Sequence, residues 1–306
     1  MNQKQIIARQ MKRVFPYGLL TVLLCTLSLS SCSVVPLTGR TQLSLISDAE
    51  INQMSLQQYR QFIHSAKLSN DARYVAQVER VGKRIASASE NYLRQNGMES
   101  LASTMKWEFN TVESSQINAF CMPGGKIVVY TGLLKLVSSD DELAAVVGHE
   151  VSHAVAKHSN ERLSQQVITQ MGGQLVGMAV SKQSDLLQSV IGQAYGLGSH
   201  LFVALPYNRK QEYEADKMGQ VFMAMAGYDP RAAIRLWQKM STAKGNNSVT
   251  EFLSTHPSDH NRIKELEAFL PTALQYAPGA KAQRKEEKTN GRPKAPSTRT
   301  SQKWRF

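Results

Sequence analysis

A histidine, a glutamate and a second histidine form the pattern with the clearest chemistry in this sequence, at His149, Glu150 and His153. On a helix, positions i and i+4 lie one turn apart on one face, so both imidazoles can point at one metal ion. Glu150 lies beside that face, where its carboxylate can reach a water molecule on the metal. This HExxH pattern is typical of zinc-dependent hydrolysis, with the glutamate as acid and base.

The residues before this motif indicate that its helix is buried. Segment 143–148 reads Leu-Ala-Ala-Val-Val-Gly, which is small and apolar throughout. Two buried histidines and a carboxylate need a polar partner, and a metal ion supplies one. The alternative, a solvated helix face with incidental histidines, does not fit this apolar stretch.

A catalytic zinc also needs a third protein ligand and an open coordination position. The longer motif H-E-x-x-H-x-x-G-x-x-H does not supply it, because Ala156 and Ser159 replace its glycine and last histidine. His158 lies five residues past His153, about 140° around the helix, so we expect it to point away from the metal. There it would interact with the negative end of the helix dipole.

The best candidate for the third ligand is Glu212, one turn before Asp216. Glu212 could bind the metal while Asp216 accepts a hydrogen bond from the outward N–H of a ligand histidine, which would fix the orientation of that ring. Two carboxylates at this spacing also occur on solvated helix faces, so the pair gains weight from the HExxH motif. We expect Glu214 to face solvent or a basic partner.

Hydrophobic periodicity and capping residues predict the elements that hold these side chains. Helices are predicted over 47–67, 70–94, 140–158, 207–227, 229–240 and 258–270, and strands over 105–110 and 126–130. The last helix is expected to end before Pro271. Between the strands, Asn118, Ala119 and Phe120 precede a Pro-Gly-Gly turn and could form an edge strand. Such an edge could pair with an extended substrate backbone.

Six glycines lie in the segment 172–198, among Leu, Val, Met and Ile. The GxxxG spacing makes a membrane hairpin conceivable. The apolar runs are too short for that, and Lys182 and Asp185 interrupt them. Close helix packing or a mobile flap is the preferred interpretation.

The amino-terminal segment resembles an export signal. Residues 1–31 combine four basic residues with a twelve-residue apolar run at Gly18–Leu29, which is too short to span a bilayer. The following Leu-Ser-Ser-Cys resembles a bacterial lipobox, which predicts cleavage before Cys32 and lipid on its thiol. The alternatives are an uncleaved anchor or a plain signal peptide with a chance cysteine. We expect residues 32–46 to be a tether.

The formal charge of +12 is concentrated at the two ends of the chain. Residues 1–31 carry +4 and residues 278–306 carry +7, which leaves +1 for the body. A nucleic-acid-binding body would need its own basic surface, so binding through the tail is a minor alternative. Residues 272–306 are predicted to be a basic, disordered tail after a catalytic domain at 47–271.

Four separated motifs resemble one zinc metalloprotease family. It includes HtpX, the CAAX prenyl proteases, the Oma-type mitochondrial protease and the periplasmic proteases BepA and LoiP. The resemblance covers about residues 47–270. The motifs are H-E-x-x-H at 149–153, N-R-x-x-E-x-x-A-D at 208–216, N-A-F at 118–120 with P-G-G at 123–125, and T-H-P at 255–257 followed by Arg262.

The resemblance implies a zincin-like fold of the α+β class, mainly helical, with a small sheet whose edge strand lines the active-site cleft. It implies one Zn²⁺ per chain, and it gives Glu150 the role of acid and base. The implied zinc ligands are His149, His153 and Glu212. His256 and Arg262 match a pair near the metal, suited to oxyanion stabilisation or to a closed site with His256 capping the zinc. The alternative for His256 is a packing role before a proline turn.

The implied function is an endopeptidase of the bacterial cell envelope that hydrolyses misfolded or unassembled envelope proteins. The chain lacks the transmembrane helices of HtpX and the prenyl proteases, which favours the lipid-tethered members that face the periplasm. Ser33 after the cysteine favours the outer membrane. A second hypothesis is a zinc-containing chaperone or assembly factor with latent protease activity. The oligomeric state is open.

Overall fold

Helices dominate the described part of the chain, which comprises residues 32–171, 207–242, 252–256 and 260–280 of the computed structural model. The helices are, in chain order, α1 (Asp48–Ser65), α2 (Ala72–Gln95), α3 (Glu99–Thr104), α4 (Thr131–Leu136), α5 (Asp140–Val155), α6 (His158–Met171), α7 (Arg209–Met225), α8 (Arg231–Thr242) and α9 (His260–Ala273). The strands are β1 (Cys32–Val34), β2 (Thr41–Leu43), β3 (Glu108–Val112), β4 (Ala119–Met122) and β5 (Lys126–Tyr130). A 3₁₀ turn at Leu274–Tyr276 follows α9. This architecture confirms the predicted, mainly helical α+β class.

Some of the sequence predictions concern other parts of the chain. The predicted signal segment 1–31, the glycine-rich segment 172–198 and residues 281–306 of the predicted tail lie outside the described residues. The disordered tail was predicted to begin at residue 272, but the chain there completes α9, with Ala273 buried, and continues through the 3₁₀ turn. Within the described ranges, no helix is both long enough and apolar enough to cross a bilayer.

A three-stranded sheet flanks the HExxH helix. β5 lies in its centre, parallel to β3 and antiparallel to β4, with Phe120 opposite Val128. The turn from β4 to β5 contains Gly124 and Gly125 at φ of +82° and +84°. Glycine adopts this left-handed backbone without strain, so the chain can reverse within two residues. β4 is at an edge of the sheet and packs beside α5.

Helix α5 is the central helix of the fold and contacts α2, α7, α8 and β4. It approaches α7 most closely where Gly148 faces Gly219. A Cβ atom on Gly219 would lie 3.0 Å from the backbone nitrogen of His149. The two helix backbones can touch here because neither residue has a side chain. This contact brings the first turns of α7 next to the histidines of α5.

The predicted helix through His158 is wrong in its last three residues. α5 ends at Val155, and Lys157 takes the left-handed conformation with a φ of 57°. A residue in that conformation commonly ends a helix. The Lys157 ammonium lies 2.6 Å from a carboxylate oxygen of Asp48. The chain then turns, and His158 becomes the first residue of α6.

The segment 32–46, expected to be a tether, instead begins with an antiparallel hairpin of β1 and β2. Val35 in its turn is buried in the main core, and β2 packs against α6. Gln42 donates a hydrogen bond of 2.6 Å to the backbone oxygen of Ala156. We call residues 32–43 the amino-terminal hairpin, and it is part of the folded domain.

The end of the last helix also differs from the prediction. α9 continues to Ala273 with Pro271 inside it, so the expected end before Pro271 is wrong by three residues. Proline lacks the backbone N–H that would bond four residues back, and the helix ends two residues after Pro271. The short helices α3 and α4 were not predicted from the sequence.

Candidate active site

Helix α5 presents the HExxH residues from its buried centre. Ser139 caps its N-terminus by accepting a hydrogen bond from the backbone N–H of Glu142. His149, Glu150 and His153 are all buried. The Nε2 atoms of the two histidines are 3.0 Å apart, so both rings point at the same place, as the i, i+4 spacing predicts.

Helix α7 brings Glu212 to the same place. Asn208 and Gln211 form a capping box that begins this helix. The Glu212 carboxylate lies 3.4 Å from His149 Nε2 and 3.3 Å from His153 Nε2. Burial alone would raise the pKa of Glu212, but Arg262 and the neighbouring histidines hold it well below its usual range. Glu212 is therefore an anionic oxygen donor beside two imidazole nitrogens.

Asp216 lies one turn further along α7 and contacts the other side of His149. Its Oδ1 atom is 2.9 Å from His149 Nδ1, so the carboxylate can orient the ring that the metal would use. Burial lowers the pKa of a histidine, but here the carboxylates of Glu212 and Asp216 raise the pKa of His149 to about 9. Because a histidine ligand must be neutral, metal binding would release the extra proton from this ring.

Arg262 connects the Glu212 and Asp216 carboxylates of α7. Its guanidinium donates to both oxygens of Asp216 at 2.7 and 2.8 Å and lies 2.7 Å from Glu212 Oε2. It also stacks over the ring of Trp237, with 3.6 Å between the guanidinium carbon and the ring centroid. Arg262 is 1% exposed, so it acts in this geometry as a buried support for the two carboxylates.

His256 is the fourth side chain of the cluster. Its Nδ1 atom is 3.3 Å from both His149 Nε2 and Glu212 Oε1, and its Nε2 atom is 3.5 Å from Glu150 Oε1. It also stacks on Phe252, with ring centroids 4.9 Å apart. The sequence left packing and a place near the metal as alternatives for His256. In the structure His256 does both, because it packs on Phe252 and lies among the candidate metal ligands.

The donor set fits a divalent metal such as zinc. One donor atom from each of His149, His153, Glu212 and His256 lies within 4.8 Å of the other three. Imidazole nitrogens and a carboxylate oxygen are the ligands that catalytic zinc sites use. Glu150 is buried beside them, and its Oε1 atom has no hydrogen-bond partner among the described residues. Burial raises the pKa of Glu150, which suits a group that accepts and returns a proton.

His158 is in a different place from the one predicted. Its side chain is fully buried, and its Nδ1 atom lies 2.8 Å from Nδ1 of the ligand candidate His153. The expectation that it points away is wrong, because it rested on a helix that continues through residue 158. Glu214 is likewise fully buried and contacts His158 and Arg40. The prediction that Glu214 faces solvent is therefore wrong, whereas the alternative of a basic partner is confirmed by Arg40.

Tyr207 also adjoins the site and was not singled out from the sequence. Its ring stacks on His153 with centroids 3.6 Å apart, and the Arg162 guanidinium covers its other face at 3.7 Å. Burial raises the pKa of Tyr207 to about 12, so the phenol stays neutral. The HExxH motif gives no signal for these residues, since they come from α6 and the chain just before α7.

The predicted substrate strand forms an edge of the sheet. β4 pairs on one side with β5, and no other strand of the described ranges pairs with its second side. Ala119 and Phe120 are buried, whereas Asn118 just before the strand is half-buried. The Phe120 ring packs edge-on against Phe62 and Tyr130. Its side chain therefore has a structural role, and recognition at this strand would use its backbone.

Comparison with known protein families agrees with this geometry. Residues 75–270 match the model of peptidase family M48, which is more than half of the chain. The chain belongs to the M48 family. The match confirms the family suggested by the sequence motifs, and it spans α2 to α9 with every candidate ligand between them.

Three named proteins are similar to this chain. The mitochondrial metalloendopeptidase OMA1 of Schizosaccharomyces pombe is 37% identical over 197 residues, which cover 64% of this chain and 53% of that protein. Human mitochondrial metalloendopeptidase OMA1 is 30% identical over 291 residues, covering 89% of this chain and 53% of that protein. The beta-barrel assembly-enhancing protease of Escherichia coli is 24% identical over 245 residues, covering 77% and 47%. The chain spans about half the length of these M48 relatives.

Proposed function

We propose that this protein is a zinc-dependent endopeptidase. The observation that carries the proposal is the convergence of His149, His153 and Glu212 donor atoms beside the buried Glu150. His149 and His153 would bind zinc through Nε2, and Glu212 through its carboxylate. Asp216 would hold the ring of His149 from its Nδ1 side. When bound, zinc supplies Lewis acidity that polarises a peptide carbonyl and acidifies water.

Glu150 carries the proton transfers of the proposed reaction. Its carboxylate accepts a proton from the attacking water while the water oxygen bonds to the peptide carbonyl carbon. Glu150 then returns that proton to the amide nitrogen, the C–N bond breaks, and a carboxylic acid and an amine leave. The Nε2 atom of His256 lies 3.5 Å from Glu150 Oε1, where it can donate to the carbonyl oxygen as negative charge develops there. Arg262 contacts Glu212, so it would influence the developing negative charge on the carbonyl oxygen only indirectly, by way of that carboxylate.

The substrate would bind as an extended chain along β4. No strand of the described ranges pairs with its second side, and β4 packs beside the HExxH helix. Strand addition recognises the backbone rather than a particular side chain. This mode suits unfolded polypeptides, which expose their backbone.

The cellular role we propose is the removal of misfolded or unassembled proteins of the bacterial cell envelope. The predicted lipobox at Cys32 and the name of the E. coli relative support it. Cys32 is exposed at the start of β1, where lipid could be attached. The more similar mitochondrial relatives support an endopeptidase but name another compartment. The proposed division is a signal peptide at 1–31, a domain that includes the amino-terminal hairpin, and the basic tail.

The test is metal analysis and casein cleavage by the purified full chain and its Glu150→Gln variant. We expect about one zinc per chain in both and loss of cleavage by at least about 100-fold in the variant, because general acid–base catalysis contributes that much. Glu79→Gln, on the exposed face of α2, is the matched control and should cleave casein normally. Equal cleavage by the Glu150 variant would reject the proposal.

A second candidate function is a zinc-containing chaperone or assembly factor with latent protease activity. The observation that favours it is that His256 adds a fourth donor atom to the cluster, whereas a catalytic zinc site has three protein ligands and an open position. His256→Ala should then raise peptide cleavage above the wild-type rate. Capture of unfolded polypeptide by Glu150→Gln at wild-type levels, with little cleavage by the wild type, would favour this function over the first.

A further inference from the structure

His158 connects a candidate metal ligand to a buried carboxylate. Its Nδ1 atom lies 2.8 Å from His153 Nδ1, and its Nε2 atom lies 2.9 Å from Glu214 Oε2. All three side chains are fully or almost fully buried. Each ring nitrogen of His158 therefore has a specific neighbour at hydrogen-bond distance.

One arrangement of protons satisfies every contact in this chain of side chains. His153 directs Nε2 at the donor cluster, so its Nδ1 atom carries the hydrogen. That N–H donates to Nδ1 of His158, which must then accept. The hydrogen of His158 is consequently on Nε2, where it donates to Glu214. The hydrogen bonds thus fix both the tautomer and the orientation of the His153 ring.

The amino-terminal hairpin holds Glu214 in place. Arg40 donates from Nε to Glu214 Oε2 at 2.9 Å, and Thr38 donates to Oε1 of the same carboxylate. The other side of the Arg40 guanidinium forms a two-pronged ion pair with Glu161 of α6, at 2.6 and 2.8 Å. Gln211 donates to Glu161 at 2.7 Å. The hairpin therefore holds the Glu214 carboxylate directly, and Arg40 is itself held by Glu161, which Gln211 supports.

We propose that His158 and Glu214 are positioning residues for the ligand His153, and that Arg40 of the amino-terminal hairpin completes this support. The inference rests on the proposed function, because it assigns roles around the same metal site. It goes beyond the HExxH and Glu212 motifs, which carry no information on residues near position 40. The hairpin thereby becomes a component of the metal centre.

The first test compares zinc affinity in His158→Phe, His158→Gln and the wild type, by competition with a chromogenic chelator. Phe preserves the ring shape but cannot hydrogen-bond, so we expect affinity to fall 10- to 100-fold. Gln offers an oxygen to His153 and an N–H₂ group to Glu214, so it should recover a large part of the loss. His64→Phe, an exposed histidine on α1, is the matched control and should bind zinc as the wild type does.

The second test extends the measurement to the hairpin and separates positioning from folding. Arg40→Ala should weaken zinc binding about 10-fold while urea unfolding of the metal-free protein still shows one cooperative transition. Cobalt-substituted Arg40→Ala and His158→Phe should show the same shift in their visible absorption, because both release the His153 ring. If the side chain at position 158 served only to fill space, His158→Gln would not recover zinc affinity relative to His158→Phe.

The outcomes distinguish this inference from the proposed function. If the wild type binds zinc and Glu150→Gln is inactive, but His158→Phe binds zinc with unchanged affinity, only the inference is wrong. Equal zinc affinities of the Phe and Gln variants, both reduced, would also overturn it, since packing would then explain the loss. A wild type that binds no zinc would refute both.

Discussion

A Gly219→Ala substitution tests whether the contact between α5 and α7 sets the geometry of the metal site. The added Cβ atom would lie 3.0 Å from the backbone nitrogen of His149 and 3.1 Å from the carbonyl carbon of Gly148. Ordinary contacts begin at 3.4 Å, so the helices must separate by a few tenths of an ångström. Because the nearest atoms are backbone, no side chain can rotate to relieve the contact.

Two opposing effects determine the expected stability. Alanine in a helix interior is favoured over glycine by about 1 kcal/mol, whereas overpacking costs about 1–3 kcal/mol. The free energy of unfolding of the metal-free protein should therefore fall by about 0–2 kcal/mol. The metal site is more sensitive, because ligand distances tolerate about 0.2 Å. Separating His149 from Glu212 by more than that should weaken zinc binding about 10-fold or more.

The assay pairs chelator competition for zinc with urea unfolding of the metal-free protein. Gly82→Ala is the control, because its Cβ would clash with the Phe109 ring, between α2 and β3 and away from the ligands. The control should lose stability but keep its zinc affinity. The reasoning is refuted if Gly219→Ala gains about 1 kcal/mol of stability and binds zinc as tightly as the wild type.

Four further predictions concern the ligands and the chain termini. Replacing both His149 and His153 by alanine should abolish zinc binding, as elemental analysis would show. Asp216→Ala should weaken zinc affinity about 10–100-fold by releasing the ring of His149, and an unchanged affinity in chelator competition would contradict this. Cys32→Ala should leave the precursor uncut and shift the protein out of the membrane fraction, whereas an unmodified mature terminus in mass spectrometry of the wild type would exclude lipidation. Deleting 281–306 should leave peptide cleavage intact but weaken binding to anionic vesicles in low salt, because basic segments gain about 1 kcal/mol per charge near such a surface.

The sequence predicts the candidate metal ligands better than the residues that support them, such as His158 and Arg40. His149 and His153 lie one turn apart on α5, Glu212 and Asp216 lie one turn apart on α7, and the structure brings these two faces together. Local periodicity is sufficient for that step, because each pair lies within one helix. The contact between the two helices depends on Gly148 and Gly219, which single-helix patterns do not connect.

Position 158 shows why the residues behind the ligands could not be predicted from the sequence. The left-handed backbone at Lys157 turns the chain, and the residue type does not predict this turn, because lysine rarely adopts that conformation. Helical geometry extrapolated past Val155 therefore rotates His158 away from the metal. Arg40 is separated from Glu214 by 174 positions, so their ion pair leaves no local pattern. A buried charge cluster of this kind becomes visible only when distant segments are brought together.

If lipid is attached to Cys32 as proposed, the amino-terminal hairpin would also determine how far the candidate active site can be from a bilayer. A tether over residues 33–46 would let the domain range up to about 50 Å from its lipid, at about 3.5 Å per extended residue. Because β1 begins at Cys32 and is paired with β2, no such flexible tether separates Cys32 from the folded domain. With lipid on Cys32, the domain would lie against the membrane surface in a restricted orientation. Its cleft would then meet only polypeptides that emerge at, or stall on, that surface, so the anchor would act as a spatial filter on substrates.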